Sequence, residues 1–178
     1  MTHTAEDAAL LLQAMAGYDP KDVTTLRGRV PSYTRGLKQG VKGLRVGLLK
    51  SDYFGLMEPE VKEAFQAALR QVEGLGATVE GVEVPGLDLA AAANTVILMS
   101  EASAYHQRWM EARPGEYGRA VWHRLSLGRL LPATLYVTAQ RIRRRLQEAL
   151  AEAFRKVHLL ALPTVPLPAP PIGEEAVE

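Results

Sequence analysis

An α/β fold is predicted by three observations: a short apolar run, an amphipathic stretch and a second apolar run follow one another between residues 43 and 84. Long helical patterns then fill residues 88 to 156, and strand character resumes at "HLLALPTV". The expected architecture is a βαβ unit and strands of a mixed sheet packed by several helices, in one domain spanning 1–178.

At the start, Thr4 offers an N-cap oxygen, Glu6 and Asp7 supply first-turn acids to "AALLLQAMAG", and Gly17 suits the stop. Residues 18 to 42 carry Pro20, Gly28, Pro31, Gly36 and Gly40 without sustained periodicity, so they read as a long connection held down by Leu26, Val30 and Tyr33.

"GLRVGLLK" at 43 to 50 reads as a buried strand, followed by the turn "SDYFGLMEP". Val61, Phe65, Leu69, Val72 and Leu75 then recur at the spacing of one helix face, over about 59 to 74. Val79, Val82 and Val84 mark the next strand, and strand, helix and strand at this length form a parallel crossover.

Residues 88 to 111 lack internal Pro and Gly and predict one helix starting at Asp88. "ARPGEYG" interrupts, and "AVWHRLSLGRLL" forms a shorter helix. From about 132 to 156 a long helix carries Leu135, Ile142, Leu146, Leu150 and Phe154, with Pro132 at its first turn. The closing strand breaks into Pro163, Pro166, Pro168, Pro170 and Pro171.

The balance of 21 basic against 20 acidic residues leaves no electrostatic footprint for nucleic acid or an anionic membrane, so a small molecule is the expected partner. Cysteine is absent, which removes disulfides, thiol nucleophiles and thiolate metal sites. No stretch reaches the roughly 20 apolar residues of a membrane span, and no signal segment follows Met1, so a cytoplasmic location is expected. Arginine outnumbers lysine 15 to 6 and Asn94 is the only asparagine, which fits a thermophilic source.

Local chemistry is sparse. In "QRIRRRLQEALAE", Arg144 and Arg145 lie four and three residues before Glu148, so a solvated, salt-bridged face is favoured over an RNA contact. His3, His106, His123 and His158 lack metal-type spacing, and no metal or cofactor is expected. Neither a nucleophile elbow nor a phosphate loop occurs. Ser32, Ser51, Ser100, Ser103 and Ser126 lack the Gly-rich surround that would place a hydroxyl beside oxyanion donors. Glu101 is read as a buried acid or, preferably, as a hydrogen-bonded structural carboxylate.

Order and motifs together resemble the amidase signature enzymes, which include the A subunit of glutamyl-tRNA(Gln) amidotransferase. The resemblance is carried by "TAEDAALLLQAMAGYDPKDVTT", "VKGLRVGLLKSDYF", "SEASAYH", "VWHRLSLGRLLPATLYVTAQRIRRRL" and, most specifically, "HLLALPTVPLPAPPIG". His3 stands where the family usually has Arg, and His158 where Asp is common.

The resemblance implies hydrolysis of a carboxylic amide C–N bond through a Ser, a bridging cis-Ser and a Lys, all expected upstream of residue 1. The chain is therefore expected to be a fragment without the catalytic triad, supplying scaffold and part of the substrate pocket. Its alternative is a non-catalytic binding module or degenerate homologue, and its partners would be a second copy or the missing portion of the same polypeptide. By the same resemblance, the loop after "PTVP" runs along the substrate cleft, making Thr164 and Val165 candidates for its wall, and Arg124 aligns with an Arg that binds a substrate carboxylate in the amidotransferase.

Overall fold

A computed structural model describes residues 2–50 and 56–173. The chain divides into two compact units, Met1–Lys42 and Gly43–Glu178.

In the first unit, helix α1 spans Ala5–Met15 and is capped as its sequence demands, with the Thr4 hydroxyl oxygen accepting from the Asp7 amide at 3.0 Å. It ends one residue before the expected stop, because Ala16 turns the backbone to extended geometry. The connection that follows is built from turns. Asp22 accepts from the Thr24 hydroxyl at 2.7 Å and amide at 2.9 Å, donors that hold its carboxyl below the ordinary value of 3.8. Leu26 does not anchor this segment as expected, since it is 87% exposed. The anchors are polar: Thr25 Oγ1 donates to the Asp19 and Asp22 carbonyls, and the Tyr33 amide donates to Gln13 Oε1 on α1.

The second unit contains a three-stranded sheet in the order β2-β1-β3, with β1 at Arg45–Leu49, β2 at Thr78–Val82 and β3 at Leu159–Ala161. Both pairings are parallel, with Leu49 opposite Val82 and Leu48 opposite Ala161. Helix α2, Pro59–Gly74, makes the crossover from β1 to β2, and its Val61, Phe65, Leu69 and Val72 are half-buried at the expected period. The turn read at "SDYFGLMEP" falls partly on 51–55, outside the described residues.

Helix α3 runs Ala90–Ala112, α4 Arg119–Gly128 and α5 Ala133–Lys156. Asp88 does not cap α3. Gly86 adopts φ +80° and leads into a 3-10 turn at Leu87–Leu89, so Asp88 lies inside that turn and Leu89 precedes the helix. The long helix begins after Pro132, which occupies the cap position.

Helix α5 serves two cores along its length. Its first half packs Tyr136, Ala139 and Ile142 against Ala93, Val96 and Ile97 of α3. Its last turns and the residue beyond them place Ala153 and Val157 against Leu49, Val82 and Val84 of the sheet edge. Leu135 and Phe154 face out instead, at 42% and 50% exposure. The buried stripe is centred about one residue away from them, through Tyr136 and Ala153, because alanines let the helix approach its neighbours closely.

Gly47 sits in the middle of the central strand for a steric reason. A Cβ there would lie 2.8 Å from Val82 Cγ2, 2.9 Å from Leu160 Cδ2 and 3.0 Å from Val157 Cγ2. Three elements converge on that one hydrogen, and all three contacts are with branched side chains that are packed themselves. Gly47→Ala is expected to destabilise the second unit by about 1–3 kcal/mol through overpacking. Gly74→Ala, at a helix end with nothing within 4 Å, is expected to be neutral or to stabilise by about 0.4–1 kcal/mol. Denaturant midpoints of the two variants check this, and equal midpoints would show that β1 is not packed as described.

Candidate functional site

Because all three strands are parallel, their carboxyl ends lie along the same edge of the sheet. Beyond that edge is a cleft of about 1160 Å³. Leu49 and Lys50 line it at the end of β1, Glu83 and Val84 just past β2, and Leu162, Pro163 and Thr164 just past β3. Helix α2 contributes Phe65 and Leu69 to its side, and Ala90 and Ala91 at the start of α3 face it from another. Crevices outside the carboxyl ends of parallel strands are where open α/β sheets bind ligands.

Its polar groups come from neighbouring strand ends. The register that sets Leu49 opposite Val82 carries Lys50 alongside Glu83, and the Lys50 ammonium meets the Glu83 carboxylate at 3.1 Å. Lys50 also continues the ladder, its amide donating to the Val82 carbonyl at 2.9 Å. Both side chains remain mostly exposed, so the pair contributes little to stability and marks the mouth of the cleft. Among the described residues, Lys62 and Asp88 complete the charged lining.

The proline loop forms the third side. Pro163 is buried, while Thr164 and Val165 are exposed. Thr164 lines both the main cleft and a shallower hollow of about 360 Å³, and Val165 lines only the second, with Val61, Ala64 and Pro168. The loop is fastened to the start of α2: the Glu58 amide donates to the Pro166 carbonyl at 3.0 Å. That bond uses one of the N-terminal donors that a helix leaves unpaired, and Glu58 makes no side-chain cap of its own. With φ fixed at each proline, the loop has little freedom left to lose.

Arg124 stands apart from this edge. It is exposed on α4, outside the lining of either hollow, and among the described residues no acidic side chain pairs with it. Its helix is seated tightly on α3. A Cβ on Gly128 would meet the Met99 carbonyl oxygen at 2.2 Å and Ser103 Oγ at 2.1 Å, so only glycine allows this crossing. Ser103, buried to 3% exposure, sets its hydroxyl 2.6 Å from the carbonyls of both Met99 and Leu125. The second of these is a carbonyl of the last turn of α4 that the helix itself leaves open.

Several of the other residues weighed in the sequence have structural partners, whereas the Ser100 hydroxyl is buried without a hydrogen-bond partner among the described residues. Glu101 is exposed rather than buried, and its carboxylate accepts from the Tyr136 hydroxyl at 2.9 Å and Gln140 Nε2 at 3.3 Å, tying α3 to α5. His158 Nδ1 accepts from the Arg45 amide at 3.0 Å at the opposite edge of the sheet. His106 Nδ1 lies 3.0 Å from the Tyr117 hydroxyl within a cluster that includes Tyr105, Trp109 and Trp122. Arg144 pairs with Glu148 at 2.8 Å as its spacing implies, while Glu152 is held by Arg155. Ser51 lies outside the described residues.

Sequence reading missed Lys50, Glu83, Lys62 and Asp88 as cleft residues. The signal for the first two was present: aligning the two strand patterns in parallel sets the charge that ends one strand beside the charge that follows the other.

Comparison with known proteins bears on this arrangement as a whole. A family model described as Amidase matches residues 1–178. The chain is 45% identical over 175 residues to an amidase of Pseudomonas putida, covering 98% of this chain and 38% of that protein. It is 37% identical over 199 residues to the A subunit of the glutamyl-tRNA(Gln) amidotransferase of Marinobacter nauticus, covering 98% of this chain and 41% of the relative. Among solved structures, an inhibitor-bound vestigial protein complex described as revealing the evolutionary origins of an s-triazine catabolic enzyme superposes with TM-score 0.86 at 31% identity, over 98% of this chain and 37% of that one. The chain thus spans about two fifths of the length of the relatives it matches.

Proposed function

The chain belongs to the amidase family, and from that premise we propose that it forms part of one amidase domain, supplying scaffold and one wall of the cleft in which a carboxylic amide is hydrolysed. The observation that carries this reading is Thr164, which lines a cleft at the carboxyl ends of three parallel strands. Val165 continues the same wall on the side of α2.

On this reading the chemistry is that of the family. A Ser oxygen bonds to the amide carbon while its proton passes through the cis-Ser to Lys. The C–N bond then breaks as the nitrogen takes up that proton and leaves as an amine, and water cleaves the resulting ester to free the acid and the Ser hydroxyl. No metal or cofactor enters this scheme. The remainder of the parent polypeptide would carry the three groups. Leu98, Tyr105, Leu127 and Leu130, exposed on and just after α3 and α4, would be covered by that remainder or by a second copy.

The second reading is a non-catalytic binding module or degenerate homologue; Ser103, whose buried hydroxyl lies between two carbonyls, is unavailable as a nucleophile on either reading. Turnover separates the two. A parent enzyme containing this segment is expected to hydrolyse a simple arylamide, and the isolated 178 residues are expected to be inert. Activity in neither protein would leave only the module.

Arg124 is proposed as the group that recognises a substrate carboxylate, since its exposed guanidinium has no acidic partner among the described residues and suits two-point contact with a carboxylate. In the parent, Arg124→Ala is expected to weaken binding of carboxylate-bearing amides by about 1.5–3 kcal/mol, read as a higher KM, with neutral arylamides much less affected. Arg124→Lys should recover only part of the loss. Equal losses for charged and neutral substrates would mean that Arg124 only supports α4.

A further inference from the structure

We propose that His158 is an acid-sensitive latch: its neutral ring holds β3 against β1, and a proton on Nδ1 loosens the strand together with the proline loop that continues from it. The Arg45 amide donates to His158 Nδ1 at 3.0 Å. A backbone amide can only donate, so this contact fixes the tautomer, with the lone pair on Nδ1 and the hydrogen on Nε2. An imidazolium carries hydrogens on both nitrogens and would turn one N–H towards another. The protonated ring must therefore leave the Arg45 amide.

The neighbouring charges do not offset that loss. On β1 the Arg45 guanidinium shares the latch, its Nε donating to the Lys156 carbonyl. The last turn of α5 adds Lys156 itself and Arg155, the latter paired with Glu152 at 3.1 Å. On β2 the residue opposite Arg45 is the uncharged Thr78, and Glu80 stands further along, opposite Gly47. Among the described residues no carboxylate pairs with His158, Arg45 or Lys156. A proton on the ring thus adds a cation beside others without a counter-ion. The carbonyl end of α5 attracts cations, but Arg45 already occupies its Lys156 oxygen. His158 is exposed, so protons reach the ring without any opening of the fold.

The latch sits where the strand pairing begins. The His158 amide donates to the Arg45 carbonyl at 2.8 Å, and β3 then pairs with β1 over only 3 residues, from Leu159 opposite Val46 to Ala161 opposite Leu48. In so short a ladder, one closing bond is a large share of what holds the strand. The chain leaves β3 through Leu162 and Pro163 and reaches Pro166, whose carbonyl accepts from the Glu58 amide at 3.0 Å. Loosening β3 therefore unseats the loop from α2. Imidazole is the side chain that ordinarily changes charge between about pH 5 and 8. The latch is closed at the alkaline end of that range, and its contribution is lost as the pH falls through it.

The test follows ring nitrogen shifts and the exchange of single amides from about pH 8 to about pH 5 in the 178-residue chain and in His158→Asn. Asparagine places an oxygen acceptor where Nδ1 stands and does not titrate in this range. At the alkaline end, His158 is expected to carry its hydrogen on Nε2 and to show coupling from the Arg45 amide to Nδ1, and acid should abolish that coupling. Protection of the Arg45 and Glu58 amides, referred to an open chain at the same pH, is expected to fall about three- to tenfold more on acidification than in His158→Asn, the range for one net hydrogen bond. His3, His106 and His123 titrate in both proteins and cancel in the comparison. A hydrogen on Nδ1 at the alkaline end, the same pH dependence in both proteins, or Glu58 keeping its protection while Arg45 loses it would each overturn the proposal. Should His158→Asn not fold, the tautomer and the joint loss of Arg45 and Glu58 protection are read on the unaltered chain and decide the matter. None of these readouts involves amide turnover, so the latch and the amidase reading stand or fall separately.

Discussion

The pairing of β3 with β1 is the constraint on which the second unit depends. These strands are joined by more than a hundred residues, so closing that loop costs entropy before any contact compensates. The closure is made specific at one end of the strands by a clasp around Arg45. Its amide donates to His158 Nδ1, its carbonyl accepts from the His158 amide at 2.8 Å, and its Nε donates to the Lys156 carbonyl. The residue that departs from the family's common Asp thus serves as a strand-end acceptor. Immediately inside the clasp, Gly47 lets Val157 and Leu160 close over β1, and Val157 is buried to 1% exposure.

What the clasp fixes at one edge decides the geometry at the other. With Val46 opposite Leu159 and Leu48 opposite Ala161, the chain leaves β3 directly into Leu162, Pro163 and Thr164 at the carboxyl edge. The same parallel order sets Lys50 beside Glu83 there. A shift of one residue in β3 would turn Pro163 outward and carry Thr164 to the other face, because strand side chains alternate. The cleft, the Lys50–Glu83 pair at its mouth and its proline wall are therefore consequences of register, and the amidase reading of Thr164 and Val165 inherits that dependence.

Much of this fold was legible. Two apolar runs around an amphipathic stretch left little choice but a parallel crossover, and the 3.6-residue period located α2 and α5. The errors have local causes. Asp88 looked like a helix start because a cap is recognised by residue type, whereas the left-handed turn at Gly86 had already begun a 3-10 turn ahead of it. Leu135 and Phe154 looked like core because large apolar residues dominate a periodicity count, while the actual contacts run through Ala139 and Ala153. Thr164 and Val165 were reached only through family resemblance, since no local spacing marks them. Gly128 carried a signal that was not used: a glycine inside a helix is costly unless a neighbour needs the space, and here α3 does.

Hydrogen exchange at single amides tests the central claim, that strand register holds the proline loop against α2 as a preformed wall. The Glu58 amide, at the first turn of a helix and without a capping side chain, would exchange freely were it not bonded to the Pro166 carbonyl. Protection of Glu58 together with the β1 amides of Val46 to Leu49, lost at a common denaturant concentration, is the expected result. Protection of β1 with Glu58 exchanging at the rate of an open chain would mean that the loop is not seated, and the cleft would lose the side on which Thr164 and Val165 stand.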